Sequence, residues 1–203
     1  MLFQKKKQEN ASETAAPKGN AHYLSAKESR EIARSNAKTI RELEKRKKRH
    51  VEEAEYLCEM DDPANIVEFD DLHTYFFTDA GVAKAVDGVT FSIPKGATVG
   101  VVGESGCGKS VTSLSLMQLV QAPQGQIVSG SIRFNMGDKA YDIAKMPVSD
   151  MRKIRGKQIA MIFQEPMTSL NPVFRIGYQL DEMVLLHQPG CTKVQAREHS
   201  LEM

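Results

Sequence analysis

Residues Gly103-Glu104-Ser105-Gly106-Cys107-Gly108-Lys109-Ser110 carry the chemistry most readily read from this chain. Glycine adopts backbone conformations that other residues resist. A loop rich in glycine can therefore turn successive N–H groups inward around one phosphate. Lys109 supplies a mobile cation for the outer phosphates, and Ser110 a hydroxyl for Mg²⁺, which usually takes few protein ligands and keeps several waters. The residues from Lys109 through Ser110 and Val111 open a helix, whose N-terminus adds partial positive charge. This spacing predicts a site for a Mg-nucleotide, with ATP the first choice. Cys107 fits as a small filler. It also sits beside the helix start and Lys109, a setting in which a thiol can be reactive.

The flanking segments suit that role. Thr98-Val99-Gly100-Val101-Val102 is an apolar, β-branched run that predicts a buried parallel strand entering the loop. Ser110 to Val120 has apolar residues at helical spacing, and strand-loop-helix is the context the motif requires. Gln158 to Phe163 predicts a second buried strand, which ends at Gln164. Upstream, Ile66–Phe69, Thr74–Phe77 and Val86–Ile93 read as strands of an antiparallel layer, with Asp79-Ala80-Gly81 as a turn. Ser129–Asn135 predicts a further strand and Val148–Ile154 a short helix. Beyond Pro166 helices are expected, broken at Asn171-Pro172 and at Gln188-Pro189-Gly190, with another starting at Thr192.

The 203 residues have a formal net charge of +1, which conceals an asymmetry. Residues 1–60 carry a net +4 and the remainder a net −3. Residues 1–22 are too polar to bury a core and are expected to be disordered. Ser25-Ala26-Lys27-Glu28 fits a capping box, and the absence of Pro and Gly predicts a long helix running to about Leu57. Residues 23–61 thus form a charged helical extension, strongly basic from Arg41 to His50. It reads either as a solvated helix or as a docking element for an anionic membrane surface or a partner. No apolar run reaches the roughly 20 residues needed to span a bilayer, and no leader pattern follows the first lysines. Cys58, Cys107 and Cys191 have no disulfide or zinc spacing, so a reducing cytosolic setting is expected.

The string from Gln158 to Pro172, with its core "IFQEPMTSLNP", resembles the Q-loop region of ABC transporter ATPases of the oligopeptide, dipeptide and nickel permease branch. "GVAKAVDGVTFSIPKG", "VVGESGCGKSVTSLSLM" and "SDMRKIRGKQIAMIFQ" resemble the same branch, so the likeness covers about residues 65–203. It implies an α/β fold: a partial P-loop NTPase core, an antiparallel β subdomain and the start of a helical subdomain, after the long N-terminal helix. It implies that Gln164 ligates Mg²⁺ together with Ser110 or orients the attacking water, and that Phe76 stacks on adenine. Tyr75 and Phe77 compete for that last role, and Phe76 also reads as a packed sheet aromatic.

The resemblance further implies ATP and Mg²⁺ as cofactors, integral-membrane permease subunits and a second ATPase subunit as partners, an extracytoplasmic solute-binding protein acting indirectly, and no nucleic acid. It implies a peripheral place on the cytoplasmic face of the membrane. No LSGGQ-like signature, strand-terminal Asp-Glu or switch histidine follows the Q-loop, and neither His187 nor His199 has a strand-terminal context. The expectation is therefore the N-terminal part of such a domain, with little ATPase turnover of its own. Three functions stay open: the ATP-binding subunit of a peptide importer or a fragment of it, a non-catalytic nucleotide-binding relict, and another P-loop enzyme. A guanine-reading Asn-Lys-x-Asp is lacking, and the Q-loop string opposes the third. Peptide against nickel is a preference from resemblance alone.

Overall fold

The computed structural model describes residues 24–164 and 170–203. The expected disorder of residues 1–22 and the stretch 165–169 of the Q-loop string lie outside the described residues.

Helix α1 (Ala26–Lys48) begins as expected: Ser25 accepts from the Glu28 amide while the Glu28 carboxylate accepts from the Ser25 amide, closing the capping box. It stops at Lys48 rather than near Leu57. Arg49 is extended, and a second capping box between Glu52 and Glu55 starts the short α2 (Glu53–Tyr56). The Arg49–Glu55 ion pair ties this break together, and Val51 packs on the core beside it.

Strands β1 (Leu57–Cys58), β2 (Asn65–Thr78), β3 (Gly81–Pro94), β4 (Gly125–Asn135) and β5 (Ala140–Asp142) form one antiparallel sheet in the order β1-β5-β4-β2-β3. The two early strands expected separately are one, β2, kinked at a bulge where Asp71 takes φ 46°. The bulge adds a residue without ending the ladder, which is why a local reading divides the strand. The antiparallel layer itself forms as expected.

The core lies on one face of this sheet. Val67, Phe69 and Leu72 of β2, Val86 of β3 and Ile132 and Phe134 of β4 pack with Ile143 and Met146. Helix α4 (Val148–Ile154), at its expected bounds, closes the core with Met151 and Ile154. Helix α3 (Lys109–Leu116) crosses nearby, and α5 (Ile176–His187) and α6 (Lys193–Glu202) pair with each other. The last begins at a Thr192–Gln195 capping box.

Two expected strands do not form. Residues 98–102 and 158–163 lie outside every strand of the sheet, and Val102 and Ile162 are each 92% exposed. An apolar parallel strand is stable when neighbours flank it and layers cover both faces. Among the described residues neither segment has such neighbours. Only an isolated bridge joins Arg155 to Ile159, inside the tight turn that follows α4.

Candidate phosphate-binding site

The loop at Gly103–Ser110 is closed by its own atoms. The Lys109 ammonium folds back and donates to the carbonyl oxygens of Gly103 at 2.8 Å and Glu104 at 2.7 Å. It also lies 3.5 Å from the Cys107 sulfur. The Cys107 amide donates to Glu104 at 3.4 Å, which makes the turn. Gly106 and Gly108 have φ of 83° and 93°, conformations that side chains disfavour. At Gly103 a Cβ would stand 2.6 Å from the Cys107 sulfur. The loop is therefore built around absent side chains, as a phosphate cradle must be.

Gly108 is the N-cap of α3, and the helix runs for two turns from Lys109. Three contacts fix that helix. At its start, the Cα of Gly108 rests on the carbonyl of Ala85 in β3. Near its last residue, the buried hydroxyls of Thr74 in β2 and Ser115 in α3 are 2.9 Å apart. At its end, the Arg155 guanidinium donates to the carbonyl oxygens of Met117 at 2.8 Å and Gln118 at 3.0 Å. Terminal helix carbonyls lack intrahelical partners, and a cation there also complements the dipole. Burial, with a smaller contribution from Arg152, lowers the Arg155 pKa below the ordinary arginine value.

Phe76 is half-buried in β2, paired with Ala83 of β3 and Gly125 of β4. Its ring edge lies where a Cβ on Gly125 would stand, beside Val120 beyond α3. Ala83 is two residues from Ala85, so strand rise and spacing put the Phe76 and Ala85 Cα atoms on the order of 8 Å apart. The aromatic thus lies one strand over from the wall of the loop. Phe77 is buried in the protein at 7% exposure, and Tyr75 is engaged elsewhere.

Tyr75 belongs to a polar cluster on the sheet. Its hydroxyl and the Nδ1 of His73 both meet Asp87, the latter at 2.9 Å, while His73 Nε2 lies 3.0 Å from Asp71. Lys84 reaches Asp87 at 3.3 Å. The Tyr75 hydroxyl first, then His73 and Lys84, hold the Asp87 carboxyl down at about 2. The hydrogen bond to Asp87 is the leading reason that the His73 pKa is raised.

The expected site residues are brought together only in part. Residues 103–111 form one continuous loop and helix start, with Phe76 on the adjoining sheet. Gln164 is exposed, and among the described residues no hydrogen bond joins it to the loop. The physical reason is the unformed strand before it, which was to carry Gln164 to the loop. Sequence reasoning missed Arg155 and the Thr74–Ser115 pair. An arginine just past a short helix and a threonine within a strand carry no signal of their own until the tertiary contacts are known.

The donor set fits a polyphosphate with Mg²⁺. Lys109 is held by two loop carbonyls and the Cys107 sulfur with no carboxylate partner among the described residues, Ser110 offers an exposed hydroxyl, and the glycines leave room for close backbone approach.

Geometry and motif together define a P-loop nucleotide-binding protein. Residues 86–199 match the family described as ABC transporter, and the chain belongs to that family. It is 49% identical over 140 residues to the oligopeptide transport ATP-binding protein AppD of Bacillus subtilis (strain 168), covering 69% of this chain and 41% of that one. It is 44% identical over 142 residues to the oligopeptide transport ATP-binding protein OppD of Salmonella typhimurium (strain LT2), covering 70% and 40%. The dipeptide transport ATP-binding protein DppD of Lactococcus lactis subsp. cremoris is 43% identical over 138 residues, covering 68% and 38%. The chain thus spans about two fifths of the length of these relatives.

Among solved structures, a dimeric post-hydrolysis state of the ATP-binding cassette MJ0796 bound to ADP and Pi superposes with a TM-score of 0.54 at 17% identity, covering 67% of this chain and 54% of that one. The fold is accordingly a partial ABC nucleotide-binding fold: an antiparallel sheet with helices and the phosphate loop. No observation favours the reading as an inactive relict. No helix among the described residues is long and apolar enough to cross a membrane.

Proposed function

We propose that this chain is the ATP-grasping part of an ATP-binding subunit of a peptide importer. The single observation that carries the proposal is the loop itself. Lys109 is turned inward over the Gly103–Gly108 turn at the start of a helix braced against the sheet. Relatives named for oligopeptide and dipeptide transport support the solute class.

In this reading residues 103–111 hold the phosphates, Ser110 and Gln164 ligate Mg²⁺, and Phe76 stacks on adenine. A polyphosphate draws the Lys109 ammonium from the Gly103 and Glu104 carbonyls, exchanging two neutral acceptors for charged ones. When bound, Mg²⁺ neutralises developing charge on the phosphates. The whole protein works as a pair of ATPase subunits on the cytoplasmic face of the membrane. It drives integral permease subunits that receive solute from an extracytoplasmic binding protein, coupling ATP binding and hydrolysis to uptake.

The test is equilibrium binding of a fluorescent ATP analogue with and without Mg²⁺, displaced in turn by ATP, GTP and a dipeptide. The proposal expects displacement by ATP, weaker displacement by GTP and none by the dipeptide. Binding that ignores both Mg²⁺ and ATP would overturn it.

A further inference from the structure

A groove of about 860 Å³ runs between the end of α1 and the body. Its floor is apolar: Val120, Ala122, Ile127, Met146 and Val148 line it. Its rim is cationic, with Arg46, Lys47, Lys48 and Arg49 from the end of α1 and Lys145 from the opposite side. Glu44 is the one acid on the lining, and it is engaged by Gln126 at 2.8 Å.

Some of these cations are accounted for. Arg49 pairs with Glu55, Lys145 with Asp142 at 2.9 Å, and Lys48 lies 4.0 Å from Glu44. Arg46 and Lys47 make no ion pair among the described residues. Their charge does complement the C-terminal dipole of α1, but that effect asks only for charge near the last turn, not for an apolar floor beneath it. The Lys47 residue as a whole is exposed, yet desolvation lowers its pKa. Both hold if its ammonium leans over the groove while its backbone faces solvent.

We infer that this groove seats one acyl chain of an anionic phospholipid, with the phosphate of the headgroup held by Arg46 and Lys47. The volume falls in the range of small-molecule sites, roughly 300–1,000 Å³. An acyl chain has no backbone polar groups to satisfy on an apolar floor, whereas a peptide has one donor and one acceptor per residue. A helical peptide would also need a channel of about 10–12 Å across. An apolar seat under a cationic rim matches the two parts of an anionic amphiphile, and polybasic segments are drawn to anionic leaflets.

The chain contains no tryptophan, which makes the test direct. Val148 lines the groove and is 45% exposed, and Val194 is 68% exposed on α6. Val148→Trp and Val194→Trp are made separately in the full chain and mixed with vesicles of phosphatidylcholine containing phosphatidylglycerol brominated on its acyl chains. The expected result is strong quenching at 148 and little at 194, with at least tenfold weaker binding to pure phosphatidylcholine. The double variant Arg46→Glu, Lys47→Glu, which leaves the core untouched, should weaken vesicle binding by roughly fivefold or more per charge. Equal quenching at both positions would mean surface attraction without a seat and would overturn the inference. So would competition by free glycerophosphate as effective as by intact lipid, or displacement of lipid by an acidic amphipathic peptide at lower concentration.

Discussion

The carbonyl oxygen of Ala85 lies against the Cα of Gly108, so close that no Cβ could stand between them. Gly108 also holds φ at 93°. Two independent restraints therefore meet at one residue. Gly108→Ala should cost roughly 1–3 kcal/mol from backbone strain alone, and more from the displaced strand. Thermal denaturation checks the stability loss, and nucleotide titration should show that binding falls with it. By contrast Gly137 has φ 101° with open space around it. Gly137→Ala should therefore show the strain without any loss of affinity.

Lys109→Ala removes the cation and frees the Gly103 and Glu104 carbonyls. Charge-assisted bonds contribute about 1.5–3 kcal/mol each, so ATP affinity should fall roughly ten- to hundredfold. Stability should change little, because both carbonyls are exposed to water. Calorimetric titration alongside a melting curve separates the two effects. A variant that binds ATP normally would remove Lys109 from the site.

Cys107 is exposed, with its sulfur 3.5 Å from the Lys109 ammonium and beneath Gly103. Alkylation puts a bulky group into the turn that must close on phosphate. It should block ATP binding, and ATP should slow the labelling of Cys107 but not of Cys191. Mass spectrometry of the labelled peptides reads both rates. Equal rates for Cys107 with and without ATP would contradict the placement.

Phe76→Ala should weaken ATP binding by about 1–3 kcal/mol if the ring stacks on adenine. It should weaken inorganic triphosphate binding hardly at all. A structural role alone would lower both together, through the Gly125 contact. The ratio of the two affinities therefore reports stacking separately from packing.

The His73–Asp87 pair predicts a pH window. The Asp87 pKa is depressed from 3.8 to about 2, so its contribution is present above about 3.8 and lost as pH falls toward 2. The His73 pKa is raised above 6.5, so its contribution is complete below 6.5 and lost as pH rises through the folded value. The cluster contributes most between those limits. Asp87→Asn should flatten the melting temperature against pH at both ends, by a small amount because the groups face solvent.

The sequence made the antiparallel layer and the loop legible for different reasons. Short apolar runs at Ile66–Phe69 and Thr74–Phe77 and alternation over Val86–Ile93 announce a sheet, and the glycine spacing announces the loop, because these signals are local. Helix α4 and the capping box at Ser25 were equally local, whereas the boxes at Glu52 and Thr192 emerge only in the structure. The segments Thr98–Val102 and Gln158–Phe163 are as apolar as any strand here, yet they do not form one. Strand formation depends on a neighbour, which composition cannot supply. Gln164 is displaced for the same reason. Phe76 could be told from Phe77 by position but not by chemistry, and only the pairing with Ala83 and Gly125 sets it beside the loop. Arg155 was invisible because its acceptors are 37 and 38 residues away.

Those two bonds of Arg155 have a mechanical meaning. Helix α3 is a strut of about 12 Å, eight residues at 1.5 Å each, seated on Ala85 at one end and clasped by a guanidinium at the other. The clasp belongs to the short turn that leads into Gln158–Phe163. The far end of the strut is thereby tied to the same piece of chain that runs on to Gln164.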